Sequence, residues 1–167
     1  MNLLERIDEL AARHAKPPRI QDVWDATHQS DYEPYRELQA KNWANLSVED
    51  IRSFRADVAM LNREAWKAFL PALMRQSLVY PYLTYEYEGT LVIEVVALLS
   101  CEQTGHGRNL REAIRAYSKE EKDVVREWLQ WFAEQSPNLS KRSEWEARVY
   151  RQGREDEVRH AIEAIED

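Results

Sequence analysis

Cysteine is almost absent from this chain, since Cys101 is the single cysteine among 167 residues. One thiol excludes an intramolecular disulfide framework, and no clustered second thiol is present for a zinc ribbon or a CxxC redox pair. A reducing compartment suits such a chain best. We therefore predict a cytoplasmic protein.

Long apolar runs are also missing. The longest, from Leu91 to Leu99, is interrupted by Glu94, and a membrane span needs roughly 20 apolar residues. The N-terminal stretch MNLLERIDELAARHAK has acids inside its apolar pattern and no small-residue cleavage site, so it does not resemble a signal peptide. We expect no membrane association.

The chain lacks a basic cluster that is free of interleaved acids, and its net charge is −7. Binding to a nucleic-acid backbone depends on such a basic face. The closest approach is Arg108, Arg111 and Arg115, at helical spacing in RNLREAIRAY, which is typical of a solvated helix face. We expect no nucleic-acid partner.

Glycine is scarce, with four residues, and nothing resembles a flexible linker or a low-complexity tract. A chain of this length buries roughly 70% of its unfolded surface, which is enough for one core. We predict a single helical domain over residues 1–167. Its C-terminal segment, 138–167, either docks on the rest or stays peripheral.

Helical signals dominate what is present. An apolar stripe predicts a first helix over residues 2–15, and Ser47 and Ser118 open capping boxes that each end in an acid three residues later. Asn62 can cap REAWKAFLPALMRQSL, in which Pro71 should kink or restart the helix. These signals predict an all-α fold, a compact bundle of about six or seven helices.

The segment LVYPYLTYEYEG, residues 78–89, is rich in tyrosine and directly precedes the apolar run LVIEVVALLS. We interpret the run as one central buried helix around 90–101, with a short core strand as the alternative because it is rich in β-branched residues. Either Tyr82 and Tyr85 fill the edge of the core while Tyr80 and Tyr87 are partly exposed, or the tyrosines form a contact surface that is both aromatic and acidic, or they line a small-molecule pocket. The candidate contact residues are Tyr80, Tyr82, Tyr85, Glu86, Tyr87 and Glu88.

A metal site is the weaker alternative. Two carboxylate-x-x-His patterns, ending at His28 and at His160, place an acid and a histidine on one helix face, as in carboxylate-bridged helical bundles. The residues of such a site would be His28, Glu94, Glu157 and His160. No catalytic motif or cofactor fingerprint occurs, so we predict no catalytic residue and no cofactor.

Three segments carry a resemblance to known proteins. They are WANLS at 43–47, AWKAFLPALM at 65–74 and AYSKEEKDVVREWLQWF at 116–132. Their order resembles a family of small bacterial helical proteins that is catalogued as a domain of unknown function, over about residues 35–135. The resemblance implies a helical fold and supplies no catalytic residues.

The leading functional hypothesis is a non-enzymatic, acidic, helical protein that binds another protein. Its most concrete form is an immunity or inhibitor protein of a bacterial competition system, whose partner would be a basic toxin or nuclease that the negative charge attracts. The rival hypothesis is a metal-binding helical bundle or a metal-dependent enzyme. A homo-oligomer is a third possibility.

Overall fold

The structure is a computed structural model, and it describes residues 1–17, 19, 36–54, 58–80, 91–100, 107–139 and 144–166. These residues contain eight α-helices and two short 3-10 turns, the latter at Trp43–Asn45 and Val58–Met60. The helices are α1 (Leu3–Arg13), α2 (Arg36–Gln39), α3 (Val48–Ser53), α4 (Arg63–Val79), α5 (Leu91–Ser100), α6 (Arg108–Arg115), α7 (Lys119–Leu139) and α8 (Glu144–Glu166).

The described residues form no strand, which confirms the predicted all-α class. Residues Leu91–Ser100 are helical, so the short core strand that the β-branched residues suggested is not observed. Val92, Val95, Val96 and Leu99 are completely buried, as a central helix requires. Burial of the helix outweighs the modest preference of β-branched residues for strands.

The helices begin where side chains satisfy their free amides. Asn2, Ser47 and Asn62 each accept a hydrogen bond from the backbone amide three residues later. The Glu5 and Asp50 carboxylates bond back to the amides of Asn2 and Ser47, which completes a capping box at α1 and at α3. Local sequence therefore fixes the start of these helices.

Helix α4 lies in the centre of the fold and packs against α1, α3, α6 and the first 3-10 turn. Most of its side chains are buried, including Trp66, Phe69, Leu70 and Leu73. Its polar stripe is narrow and consists of Glu64, Lys67 and Arg75, which lie on one face. Phe69 contacts the rings of Trp43, Phe54 and Trp66 at centroid distances of 6.4, 4.7 and 5.8 Å. This aromatic cluster anchors the N-terminal half of the chain to α4.

Of the two effects predicted for Pro71, a restart of the helix is wrong, because α4 continues through this residue, and a kink stays a prediction. Proline has no N–H, so the carbonyl of Lys67, four residues earlier, loses its helical partner. The hydroxyl of Tyr117 donates a hydrogen bond of 2.9 Å to that carbonyl. A side chain distant in sequence thus replaces the bond that the proline removes.

The C-terminal segment contributes to the same core as the rest of the described chain. Helix α8 packs mainly against α5 and α7. Its residues Val158, Ala161 and Ile165 are buried and belong to the core cluster that also contains Ile7 and Trp128. The second half of α8 is therefore docked.

Candidate protein-contact surface

One of the six predicted contact residues, Tyr80, lies in the described part of the chain. Tyr82, Tyr85, Glu86, Tyr87 and Glu88 lie outside the described residues. Tyr80 directly follows α4 and caps its C-terminus by donating its N–H to the Gln76 carbonyl at 2.8 Å. The predicted segment therefore begins at the end of the central helix.

The side chains at this helix end face solvent. Tyr80 is 53% exposed and Val79 is 40% exposed. Within the described residues, the other exposed large apolar side chain is Met1, at 75%. Tyr80 does not belong to the core cluster. Both interpretations of the tyrosines leave this residue exposed, so its exposure is consistent with a contact surface and with a core edge formed by the later tyrosines.

Buried hydrogen bonds hold the last turn of α4 in place. Gln76 donates from Nε2 to the carbonyl of Leu46 at 2.5 Å. Ser77 donates to the carbonyl of Met74 at 2.7 Å and accepts a hydrogen bond of 2.9 Å from Trp128 Nε1 on α7. Because both anchoring side chains are buried, Val79 and Tyr80 project from a fixed base, which limits the entropy lost when a partner binds.

One polar atom at this helix end is not satisfied. The Oε1 atom of Gln76 is buried and has no hydrogen-bond partner among the described residues. Buried acceptors without partners are rare in folded proteins and are costly when they occur. The last turn of α4 therefore combines an exposed apolar pair with an unsatisfied acceptor beneath it.

A second polar cluster, at the junction of α1 and α7, was not predicted from the sequence. The Tyr117 and His14 rings lie 5.0 Å apart, and His14 Nε2 is 3.2 Å from Glu121 Oε1. Arg13 Nη1 is 3.7 Å from the same oxygen, and Glu121 Oε2 accepts the Ser118 amide at 2.9 Å. The capping box of α7 is thus extended into a network that joins α7 to α1.

This network shifts two pKa values. Burial raises the pKa of Glu121, but hydrogen bonds from Ser118 and His14 and the charges of His14 and Arg13 outweigh burial, so the net shift is downward. Burial, followed by the charge of Glu121, raises the pKa of Tyr117 well above its ordinary value. Tyr117 donates a hydrogen bond to the Lys67 carbonyl, and Glu121 accepts the Ser118 amide and pairs with His14 and Arg13. The cluster therefore stabilises the junction of α1 and α7.

The structure describes the side chains of two of the four predicted metal ligands. Glu157 is partly buried and His160 is exposed, while His28 and the side chain of Glu94 lie outside the described residues. No group of three or more potential ligands occurs in the described ranges. The metal site stays a prediction.

The three arginines of α6 have separate roles. Arg108 pairs with Glu112 at 2.9 Å, and Arg111 donates from Nη1 to the carbonyl of Leu98 at 3.0 Å, near the C-terminus of α5. Arg115 is exposed. They therefore do not converge on one basic surface.

Comparison with protein-family models, with curated proteins and with solved structures gave no match to this chain. The resemblance to a bacterial helical family therefore stays a prediction. None of the described helices is both long enough and apolar enough to cross a membrane.

The sequence contains signals for parts of the polar cluster at the junction of α1 and α7, but nothing in the sequence connects these signals with one another. Ser118 and Glu121 form a capping box by spacing, and Pro71 leaves the Lys67 carbonyl without a partner by its chemistry. Nothing in the spacing of these residues shows that Tyr117 reaches Lys67. That contact depends on how α6, which Tyr117 follows, packs against α4.

Proposed function

We propose that this protein binds another protein through a surface that begins at Val79 and Tyr80 and continues into the tyrosine-rich segment 82–88. It is a non-enzymatic, acidic, helical binding protein, and its most concrete form is a cytoplasmic immunity or inhibitor protein of a bacterial competition system. The partner is a basic toxin or nuclease. The observation that carries the proposal is the exposure of Tyr80 on a helix end that is otherwise anchored in the core.

Tyrosine at such a position suits protein binding. It supplies a large contact area with few rotatable bonds, and it is enriched among the residues that dominate binding energy at interfaces. Val79 adds apolar area next to it, and the following sequence YPYLTYEYEG adds more phenol rings and two glutamates. Aromatic residues bordered by acidic residues are the composition expected of a surface that binds a basic partner.

The net charge supports the same partner. At −7, the protein attracts a basic protein over distances of about a Debye length, roughly 8–10 Å at physiological salt. Attraction of this kind raises the association rate more than it raises the final affinity. Immunity to a toxin requires rapid capture, so this property fits the proposed role.

The first experiment places a photo-crosslinking benzoylphenylalanine at position 80 and expresses the protein in its own host. The matched control carries the same residue at the exposed position 115 on α6. One dominant crosslinked protein at position 80, absent at position 115, is the expected result. Equal crosslinking at both positions, or crosslinks only to a second copy of this chain, would contradict the proposal.

The second experiment measures affinity for the purified crosslinked partner. Tyr80→Ala should weaken binding by about 2 kcal/mol or more if Tyr80 is a binding hot spot, roughly a 30-fold rise in Kd. Arg115→Ala should change Kd less than two-fold, and circular dichroism should show both variants folded. An unchanged Kd for Tyr80→Ala would remove this residue from the interface and with it the main support for the proposal.

A further inference from the structure

A shallow groove of about 320 Å³ lies between α7 and α8. Its apolar part is formed by Ala133 from α7 and by Val158 and Ile162 from α8. Ala133 and Ile162 are only partly buried, so apolar atoms remain open to solvent along this seam. None of the lining residues belongs to α4, which carries the Val79 and Tyr80 surface.

The rim of the groove carries negative charge that no other described residue neutralises. Glu134, Glu155 and Glu163 lie along it, and none of the three forms an ion pair within the described part of the chain. The one rim cation, Arg159, is held by Asp156 at 2.6 Å. With respect to the described residues, three carboxylates are therefore available to an incoming ligand.

A second groove, of about 340 Å³ between α1 and α7, provides a contrast. Its acids are mostly compensated: Glu9 and Glu121 lie 3.8 and 3.7 Å from Arg13, and Asp123 pairs with Arg126. The α1–α7 groove therefore attracts a cationic ligand less strongly than the α7–α8 groove does, although both are lined by glutamates.

We propose that the α7–α8 groove binds a basic amphipathic helix of another protein. Apolar side chains of that helix cover Ala133, Val158 and Ile162, and its lysines or arginines pair with the glutamates of the rim. The proposal adds a second contact surface to the proposed function and names the chemistry that it recognises. It uses none of the residues of the first surface.

The spacing of the groove matches the repeat of a helix. Glu155 and Glu163 are eight residues apart on α8, which corresponds to about 12 Å along the axis. Two basic residues seven positions apart on a partner helix are separated by about 10.5 Å, close to this distance. Val158 and Ile162, four residues apart, lie between the two acids, where the partner's apolar residues at i and i+4 would pack.

The test uses a fluorescein-labelled helical peptide of about 15 residues, with a leucine pair spaced by four and lysines flanking it on the same face. Binding to the full chain is followed by anisotropy at about 50 and 200 mM salt. The expected result is saturable binding that weakens at the higher salt. In an NMR titration, the largest shift changes should fall on the amides of Ala133, Val158 and Ile162. A scrambled peptide of the same composition, whose apolar stripe is broken, should bind at least five-fold more weakly.

The decisive comparison is between two variants with the same change in net charge. Glu134→Gln/Glu163→Gln removes two acids from the α7–α8 groove, and Glu9→Gln/Glu120→Gln removes two from the α1–α7 groove. We expect Glu134→Gln/Glu163→Gln to raise the Kd of the peptide about three- to ten-fold, because it removes two exposed ion pairs with the peptide. Glu9→Gln/Glu120→Gln should raise this Kd less than two-fold.

Several results would overturn the proposal. If both double variants raised the Kd of the peptide equally, the peptide would be responding only to the net charge of the protein. If the scrambled peptide bound as tightly as the amphipathic one, the apolar seam would not be used. No binding at low salt, or NMR shifts that map elsewhere, would also refute it. Self-association that Glu134→Gln/Glu163→Gln abolishes would assign the groove to a second copy of this chain instead. Tyr80→Ala should leave peptide binding unchanged, so failure of this proposal is distinguishable from failure of the first.

Discussion

Removal of one hydroxyl group, in Tyr117→Phe, tests how the central helix tolerates a proline. The hydroxyl donates 2.9 Å to the Lys67 carbonyl, which Pro71 leaves without its helical partner. Tyr117 is 4% exposed, so water does not readily replace the lost donor. Loss of the bond and an unsatisfied acceptor should lower the free energy of unfolding by about 1–2 kcal/mol.

Urea denaturation followed by circular dichroism measures this loss. With a slope of about 2 kcal/mol per M, the midpoint should fall by about 0.5–1 M while the slope stays constant. Tyr80→Phe removes an exposed hydroxyl and should change the free energy by less than about 0.5 kcal/mol. It is therefore the matched control.

A double-mutant cycle with Pro71→Ala isolates the mechanism. Alanine in place of the proline would restore an N–H for the Lys67 carbonyl, so Tyr117→Phe should cost about 0.5 kcal/mol or less in that background. The expected coupling energy is about 1 kcal/mol. If the two changes were instead additive within about 0.3 kcal/mol, the tyrosine would not be compensating for the proline, and the explanation given for the continuous helix would be refuted.

The other predictions concern pH, close packing and the indole groups. Because the pKa of Glu121 is lowered in the folded protein, its carboxylate stabilises the fold above the unfolded pKa of about 4.3, and this stabilisation is lost as pH falls through the folded pKa. Glu121→Gln should therefore lower the free energy of unfolding by about 1 kcal/mol at neutral pH. In acid denaturation curves, the difference between the variant and the parent protein should disappear. Gly107→Ala should cost about 2 kcal/mol or more in urea, because a Cβ there would lie 2.1 Å from the Leu98 carbonyl oxygen; a variant as stable as the parent would contradict this. Trp128→Phe should cost about 1 kcal/mol more than Trp66→Phe in the same urea assay, since the Trp128 indole N–H is bonded and that of Trp66 has no partner within the described ranges. Equal losses would count against the assigned bonds.

Much of the fold is predictable from local sequence. The helix starts at Asn2, Ser47 and Asn62 follow from side chains that bond to nearby amides, and these contacts span three residues. The apolar run at 91–99 left a central helix and a short core strand open, and the structure shows the helix Leu91–Ser100. Periodicity and capping are local properties, so a single sequence is sufficient to identify them.

The candidate surfaces were less predictable. Tyrosine composition indicated a contact segment, but only the ending of α4 at Val79 shows that Tyr80 is exposed rather than packed in the core. The groove between α7 and α8 has no signature in the sequence, because Ala133 and Ile162 are brought together by helix packing. Sequence gives residue types, whereas exposure depends on neighbours that are distant along the chain.

The sequence by itself determined the all-α class, the caps and the acidic balance, because these depend on residue type and on spacing within a few residues. The tertiary structure decided that α4 continues through Pro71, since the replacement donor, Tyr117, is 50 residues from Lys67 along the chain. It also brings Glu134 of α7 and Glu155 and Glu163 of α8 to the rim of one groove, where none of them forms an ion pair with another described residue. Both outcomes depend on distances between helices, and only the packed chain fixes those distances.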